Sequence, residues 1–428
     1  MDVLRGVALL GILIANVTSF SLPDWAYLVP LSIAKPAFTG PHAHVNTVIW
    51  IARWILMEGK MRGLFSLLFG AGVILLTSRA EQRGAKNVAD IFLRRNMWLV
   101  LFGVLHAYLV WYSDILYFYG LTALIFLYPC RHLKPKTLLI TAAFVIALDT
   151  FCIFAAGQAL QDISLHKRVE SAIAAQQAGA TLTPAQRADL DAWNERLHEW
   201  KPDQKTIDED VAANRAGYLS AQAVNAKTAT FFEKDLYYGF GFCDMLGPML
   251  IGMALIQNGF LTAKLSYKTY ALTALIGAAI SVPVVALGAS KALASNFDLL
   301  TTEKWLLLPY DLGRIPGTVA IAALILILIK ARALPRLSRR LAAVGQTALS
   351  NYLLTSILCR FILVWGPWRL YSRLEYYQLY CVLLGVWALN LIWSPIWLRH
   401  FEFGPAEWAW RSLTYWKRQP MRLQSRPV

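Results

Sequence analysis

Long apolar stretches recur along the whole chain, near 6–22, 61–77, 96–112, 114–129, 137–157, 239–259, 269–290, 311–330, 345–366 and 377–398. Each approaches the ~20 residues that a helix needs to cross a bilayer. The pattern predicts an all-α, polytopic membrane bundle of about ten transmembrane helices. The alternating segments of a transmembrane barrel are not evident. The first run, VALLGILIANVTSFSL, follows a single basic residue, Arg5, and carries no small-x-small cleavage site. It therefore reads as a retained span and not as a signal peptide. Residues 45–58, VNTVIWIARWILME, are amphipathic, with Arg53 against an apolar face. They are expected as an interfacial helix or as an extension of the second span.

One long polar segment, 158–236, interrupts the series. Within it, TPAQRADLDAWNERLHEW opens with Thr183 as N-cap and Pro184 at the first helical position, which predicts a helix. A second helix is expected across DEDVAANRAGYLSAQAVNAKTATFF. The resulting organisation is a five-span bundle (1–157), an extracytoplasmic, mostly helical segment (158–236), a second five-span bundle (237–398) and an amphipathic cytoplasmic tail (399–428). No internal repeat is visible, so an inverted-repeat transporter architecture has no support from the pattern.

Composition agrees with this class: 57% of residues are hydrophobic and 16% charged, against ~45–50% and ~25% in soluble domains. The formal charge of +15 suggests nucleic acid until its distribution is read. With the N-terminus in the cytoplasm, inside segments hold Arg5, then Arg79, Arg83, Lys86, Arg94 and Arg95, then Arg131, Lys134 and Lys136, then Lys264 and Lys268. Lys330, Arg332, Arg336, Arg339 and Arg340 follow, and the tail adds Arg399, Arg411, Lys417, Arg418, Arg422 and Arg426. The short outside loops hold only Lys35, Lys291, Lys304, Arg369 and Arg373. This asymmetry places both termini in the cytoplasm and makes the surplus charge a topology signal, with no nucleic-acid partner. The five cysteines are scattered without metal-type spacing, so neither a disulfide framework nor a metal is expected.

Polar residues inside spans mark where function should be sought. His106 lies ten residues beyond Asn96, about 15 Å into the membrane. Asn16 lies ten residues past Gly6, at a similar depth. Asp114 follows His106 by eight residues, on the same helical side but two turns away, so contact requires the chain to turn back after Ser113. Each has a plainer reading: His106 and Asn16 as interhelical hydrogen-bonding groups, Asp114 as a helix cap. Further clusters are Glu58, Lys60 and Arg62 in EGKMRG, and Asp311 with Arg314, spaced as an ion pair. Gln346, Ser350 and Asn351 recur at helix spacing and can face a wet interior. The aromatic, basic tail FEFGPAEWAWRSLTYWKRQPMR has the composition of an interfacial anchor, to which no chemistry is assigned.

MDVLRGVALLGILIANV, LFSLLFGAG, RRNMWLVLFGVLHAYLVWYSDIL, GPMLIGMAL, GQTALSNYLL and FGPAEWAWRSLTY occur here in that order. In these segments the chain resembles the YeiB-like family of bacterial inner-membrane proteins over essentially its whole length. More distantly, the D-x-x-R-G opening with an Asn ten residues after the Gly is similar to heparan-α-glucosaminide N-acetyltransferase, of the transmembrane acyltransferase superfamily. That resemblance carries over Asp2, Arg5, Gly6 and Asn16, the last matching an active-site asparagine. The acetyltransferase's catalytic histidine follows its first span, where this chain offers His42 and His44; His106 fits the YeiB-like pattern instead. Relatives carry several residues before D-x-x-R-G, whereas Met1 alone precedes it here.

The resemblance implies transfer of an acyl group, acetyl foremost, from cytoplasmic acyl-CoA (acetyl-CoA) to an extracytoplasmic or lipid-linked acceptor. Such chemistry needs a base and oxyanion donors, roles that suit His106 and Asn16, with Asp114 orienting the imidazole. The phosphates of the donor call for cations at the cytoplasmic mouth, where Arg5, Arg79, Arg83, Arg94 and Arg95 stand; Asp2, Arg5, Arg94 and Arg95 are the expected donor-binding group. Partners would be acyl-CoA, a lipid or glycan acceptor and membrane lipids; a homo-oligomer is compatible with the pattern. The competing expectation is a proton-coupled transporter or exporter, with His106 and Asp114 relaying protons. A third is a scaffold that binds partners through 158–236.

Overall fold

Every one of the ten apolar runs folds as helix, because a backbone in hydrocarbon must satisfy its own hydrogen bonds. The structure, a computed structural model, describes residues 1–30, 38–82, 84 and 87–423. Lys35, Arg83, Lys86 and Arg426, which contribute to the orientation signal, lie outside the described residues. The chain runs through α1 (Asp2–Ser21), α2 (Ala43–Leu56), α3 (Lys60–Gln82), α4 (Val88–Leu109) and α5 (Leu116–Cys130). Next come α6 (Pro135–Asp149), prolonged in wide π-type turns to Ala159, then α7 (Leu160–Gln177), α8 (Pro184–Trp200), α9 (Gln204–Arg215) and α10 (Tyr218–Thr230). The second half contains α11 (Phe242–Gln257), α12 (Tyr267–Ala294), α13 (Tyr310–Lys330), α14 (Pro335–Gln346), α15 (Ala348–Arg360), α16 (Tyr376–Trp397) and α17 (Pro405–Tyr415).

Seven helical stretches among the described residues are long and apolar enough to cross a membrane, and α10 with α11, bent by 66°, make an eighth candidate. This is the architecture of a multi-pass helical membrane protein. The third and fourth expected spans are the weaker two. Helix α4 carries Asp90, Arg94 and Arg95 in its first half, and α5 is a shorter apolar helix. Helix α2 follows the extension reading and forms one long candidate span with α3, although Gly59 at φ 67° bends the junction. Its buried face is Asn46, Trp50, Arg53 and Trp54, so Arg53 points into the protein.

The helices cross where glycines remove side-chain bulk. A Cβ on Gly70 of α3 would collide with the Met249 carbonyl of α11, and one on Gly252 of α11 with the Leu67 carbonyl. Gly6 of α1 and Gly345 of α14 interlock in the same way, as do Gly103 of α4 and the start of α5. Close backbone approach of this kind drives association where lipid offers helices no hydrophobic gain. Helix α11 is thus packed between α3 and α6, and α1 against α14, α3 and α16.

The inter-span segment differs from expectation in one respect. Thr183 and Gln186 form the capping box that opens α8, as the sequence indicates. The second expected helix is instead two, α9 and α10, because Gly217 at φ 127° breaks it. Helix α17 packs on α4: Trp410 Nε1 donates to the Arg95 carbonyl at 2.8 Å, and the Arg95 guanidinium stacks 3.6 Å over the Trp410 ring. Glu407 accepts from Leu349 N and Ser350 N at the start of α15, at 2.5 and 3.2 Å. A carboxylate there satisfies amides that have no intrahelical partner and meets the positive end of the helix dipole.

Candidate active site

His106 and Asp114, the two ends of the HAYLVWYSD stretch, meet because α4 stops and the chain reverses. Val110 N and Trp111 N both bond to the His106 carbonyl, at 2.8 and 3.0 Å, and close the helix. The turn brings Asp114 back beside His106, with Oδ1 2.9 Å from Nδ1 and both side chains 1% exposed. Gly103 makes room, since a Cβ there would lie 2.6 Å from Asp114 Oδ2. The other carboxylate oxygen accepts from Tyr117 N at 2.7 Å, so Asp114 also caps α5. Cap and histidine partner are one residue.

Tyr352 of α15 completes the cluster. Its hydroxyl donates to Asp114 Oδ1 and accepts from Ile115 N, each at 3.2 Å, and its ring lies 5.0 Å from the imidazole. His106 Nδ1 is close to the carboxylate but off the axis of a hydrogen bond, and Nε2 is buried with no partner among the described residues. A carboxylate beside Nδ1 favours the tautomer with its proton there, which leaves Nε2 as a free acceptor. Such an arrangement can take a proton from a hydroxyl or amine.

Helix α10 roofs this corner. Asn225 donates to the Ala107 carbonyl and accepts from Tyr112 N, both at 2.7 Å. Gln222 donates to the Tyr108 carbonyl at 2.5 Å, and Tyr218 to the Leu109 carbonyl at 2.9 Å. Three carbonyls left open at the end of α4 are thereby capped by side chains of one helix. Glu233, beyond α10, is buried with Oε1 unpartnered and stands within electrostatic range of Asp114. Sequence reading singled out neither Tyr352 nor Glu233, because their partners lie more than a hundred residues away.

The other expected residues are placed as follows. Asn16 is half-buried and makes no side-chain hydrogen bond among the described residues. Its neighbours Leu13, Val17 and Phe20 share a core with Ala107 and Trp111, with the Phe20 and Trp111 rings 4.0 Å apart. No hydrogen bond joins Asn16 to His106. His42 pairs with Glu375 at 3.1 Å, away from this corner. Arg5 pairs with Asp2 at 3.1 Å and reaches the Gly345 carbonyl at 3.3 Å. Arg94 pairs with Asp90 at 2.5 Å. Arg95 stands within electrostatic range of Arg411 of the tail and of Arg5, so α1, α4 and α17 gather three arginines at the end of α4 opposite His106. Asn351 faces no wet interior: it donates to the Val344 carbonyl, Thr347 and Ser394 and accepts from Trp393.

The EGKMRG and YDLGRIPG residues form one buried network. Arg314 pairs with Asp311 at 2.6 Å, as its spacing implies, and with Asp244. Arg62 pairs with Asp244 at 3.2 Å and Arg53 with Glu58 at 3.6 Å. Asp149 joins from α6: the carboxylates of Asp149, Asp244 and Asp311 lie within 4.8 Å of one another. Arg62 and Arg314 already compensate much of this negative charge. Single acids in three separate spans give no sequence signal that they meet.

Two of the larger clefts lie elsewhere. One, about 560 Å³, is an apolar groove between α12 and α13, lined by Leu272, Ile276, Ile280 and Val319. The other, about 570 Å³, lies between α7 and α8.

A family model described as "Protein of unknown function (DUF418)" matches residues 255–417. The chain is 30% identical to "Uncharacterized protein YeiB" of Escherichia coli (strain K12), over 97% of this chain and 95% of that protein. It is 28% identical to "Uncharacterized protein YxaH" of Bacillus subtilis (strain 168), over 100% and 96%. No solved structure matches it. That end-to-end likeness places this chain in the YeiB-like family.

Proposed function

We propose that the protein is a membrane acyltransferase that moves an acyl group from a cytoplasmic CoA thioester to a hydroxyl or amine of an extracytoplasmic or lipid-linked acceptor. The observation that carries this reading is the buried pair of His106 and Asp114, with imidazole Nε2 unpartnered among the described residues. In the reaction, Nε2 takes the acceptor proton as its oxygen or nitrogen attacks the thioester carbonyl. The tetrahedral adduct collapses, the carbon–sulfur bond breaks, and the proton passes to the departing thiolate. Asp114 holds the ring and stabilises its charged form. Asn16, whose side chain makes no hydrogen bond among the described residues, is the candidate oxyanion donor.

The arginines support the donor's position. From Arg95 to His106 is eleven residues of one helix, about 16 Å, a distance that an extended pantetheine arm covers. Phosphates at Arg5, Arg95 and Arg411 would put the thioester near Nε2. The same reading has ten spans, both termini in the cytoplasm and an inner-membrane location, in keeping with the distribution of basic residues. Because His106 and Asp114 are sealed, substrate entry requires α10 to lift from the end of α4.

Incubating the purified protein with labelled acetyl-CoA tests the proposal: transfer, self-acylation or thioester hydrolysis is expected. A second reading, proton-coupled transport, draws on the carboxylates of Asp149, Asp244 and Asp311, where Asp149 Oδ1 is buried without a partner. Solute flux in liposomes driven by a proton gradient, with no reaction of acetyl-CoA, would replace the first reading by the second.

A further inference from the structure

Arg360, the last residue of α15, is 3% exposed, yet its Nε and Nη2 have no hydrogen-bond partner and it forms no ion pair among the described residues. Arginine keeps its charge at every accessible pH, and a charge withdrawn from water needs a counter-charge. The acidic groups within electrostatic range are Asp24 and Asp210, and the phenols of Tyr112 and Tyr371 also face it. Those carboxylates are engaged elsewhere: Asp24 accepts from Tyr112, and Asp210 accepts from Tyr371 at 3.0 Å and from Asn214 at 3.4 Å. Arg215, nearby, is committed to the carbonyls of Tyr371 and Ser372 at 2.8 and 3.0 Å. The Trp365 ring, 5.5 Å from the guanidinium carbon, flanks it.

Nε and Nη2 form one edge of the guanidinium, the edge that meets two oxygens of a carboxylate or phosphate side by side. Here that edge is buried and meets no acceptor among the described residues. Its position relates it to the histidine site. Arg360 lies eight residues beyond Tyr352 on α15, about 12 Å along the helix, and Tyr112 is two residues from Asp114. We infer that Arg360 binds the phosphate or carboxylate group of an anionic ligand whose other end reaches toward His106. Its identity as the acyl acceptor rests on the acyltransferase reading; the anion site does not.

The test measures binding without acyl-CoA. Full-length protein in phospholipid-free detergent is titrated with labelled inorganic phosphate at constant ionic strength. A parallel sample in mixed vesicles is scored for retention of phosphatidylglycerol over phosphatidylcholine. Saturable phosphate binding points to a soluble anion, and selective lipid retention to a headgroup; either supports the site. Arg360→Gln should weaken the binding about tenfold or more, and Arg360→Lys should weaken it less, because charge remains while the fork is lost. Asp210→Asn should tighten it, by removing a facing negative charge. Wild-type protein that binds neither probe, or Arg360→Gln protein that binds as wild type does, overturns the inference. If Arg360→Gln does not fold, Asp210→Asn decides, and no gain there counts against the site. Anion binding through Arg360 in a protein that never transfers acyl groups would leave this site standing and remove the enzymatic reading.

Discussion

Substituting Gly103 by alanine tests how the fold builds the site. A Cβ there meets Asp114 Oδ2 at 2.6 Å and Tyr117 Cα at 2.7 Å. Non-bonded heavy atoms prefer about 3.5–4.0 Å, so the start of α5 must retreat by about 1 Å. Overpacking of this size costs about 1–3 kcal/mol, against which alanine's better helix propensity returns up to about 1 kcal/mol. The larger effect is on the site. Asp114 Oδ1 now stands 2.9 Å from His106 Nδ1, and the same retreat takes it out of contact. A misplacement of about 1 Å in a catalytic arrangement can cost about 100-fold in rate. The assay compares labelled acetyl transfer and thermal unfolding in Gly103→Ala and in a control, Gly72→Ala, whose Cβ meets nothing within 4 Å. The control should be as active as wild type and no less stable. Wild-type transfer by folded Gly103→Ala protein would refute the reasoning.

Other outcomes follow from the same contacts. Asn225→Ala leaves a buried carbonyl and a buried amide unpaired and should cost about 2–4 kcal/mol, with faster hydrogen exchange across residues 107–112. Arg411→Gln should raise KM for acyl-CoA about 5–10-fold and leave kcat nearly unchanged, which steady-state kinetics would separate. Burial pushes the Asp210 carboxyl above its ordinary value of 3.8. The folded state therefore holds a proton that the unfolded chain releases, and that contribution is complete below the ordinary value and lost as pH rises through the raised one. Thermal unfolding from pH 4 upward should show a smaller loss in Asp210→Asn than in wild type, where this carboxyl adds to the others that burial raises.

The apolar helices were legible because hydrocarbon imposes one rule on every backbone, and apolar length alone points to them; how many of them cross a membrane is a finer matter, with seven or eight long enough among the described residues. Thr183 was legible because a capping box is local. The pair of Asp311 and Arg314 was legible for the same reason, one helical turn apart. Contacts made by chain reversal were not. That Asp114 returns to His106 depends on Gly103 and on a turn whose course no periodicity encodes. Tyr352, Glu233, Arg360 and Asp149 gain their interest from neighbours distant in sequence. The packing of the tail was not legible, because aromatic and basic residues suit a lipid surface as well as a protein groove. Its contact with α4 comes from Arg95, whose guanidinium and carbonyl both engage Trp410.

The account depends most on the free nitrogen of His106. The direct measurement is the single-turnover rate of acyl loss from labelled acetyl-CoA in His106→Gln protein, a substitution that keeps a polar group of similar size. The rate should fall about 10²–10⁴-fold, with acyl-CoA binding and thermal unfolding little changed. Transfer at the wild-type rate by the folded variant would contradict the account.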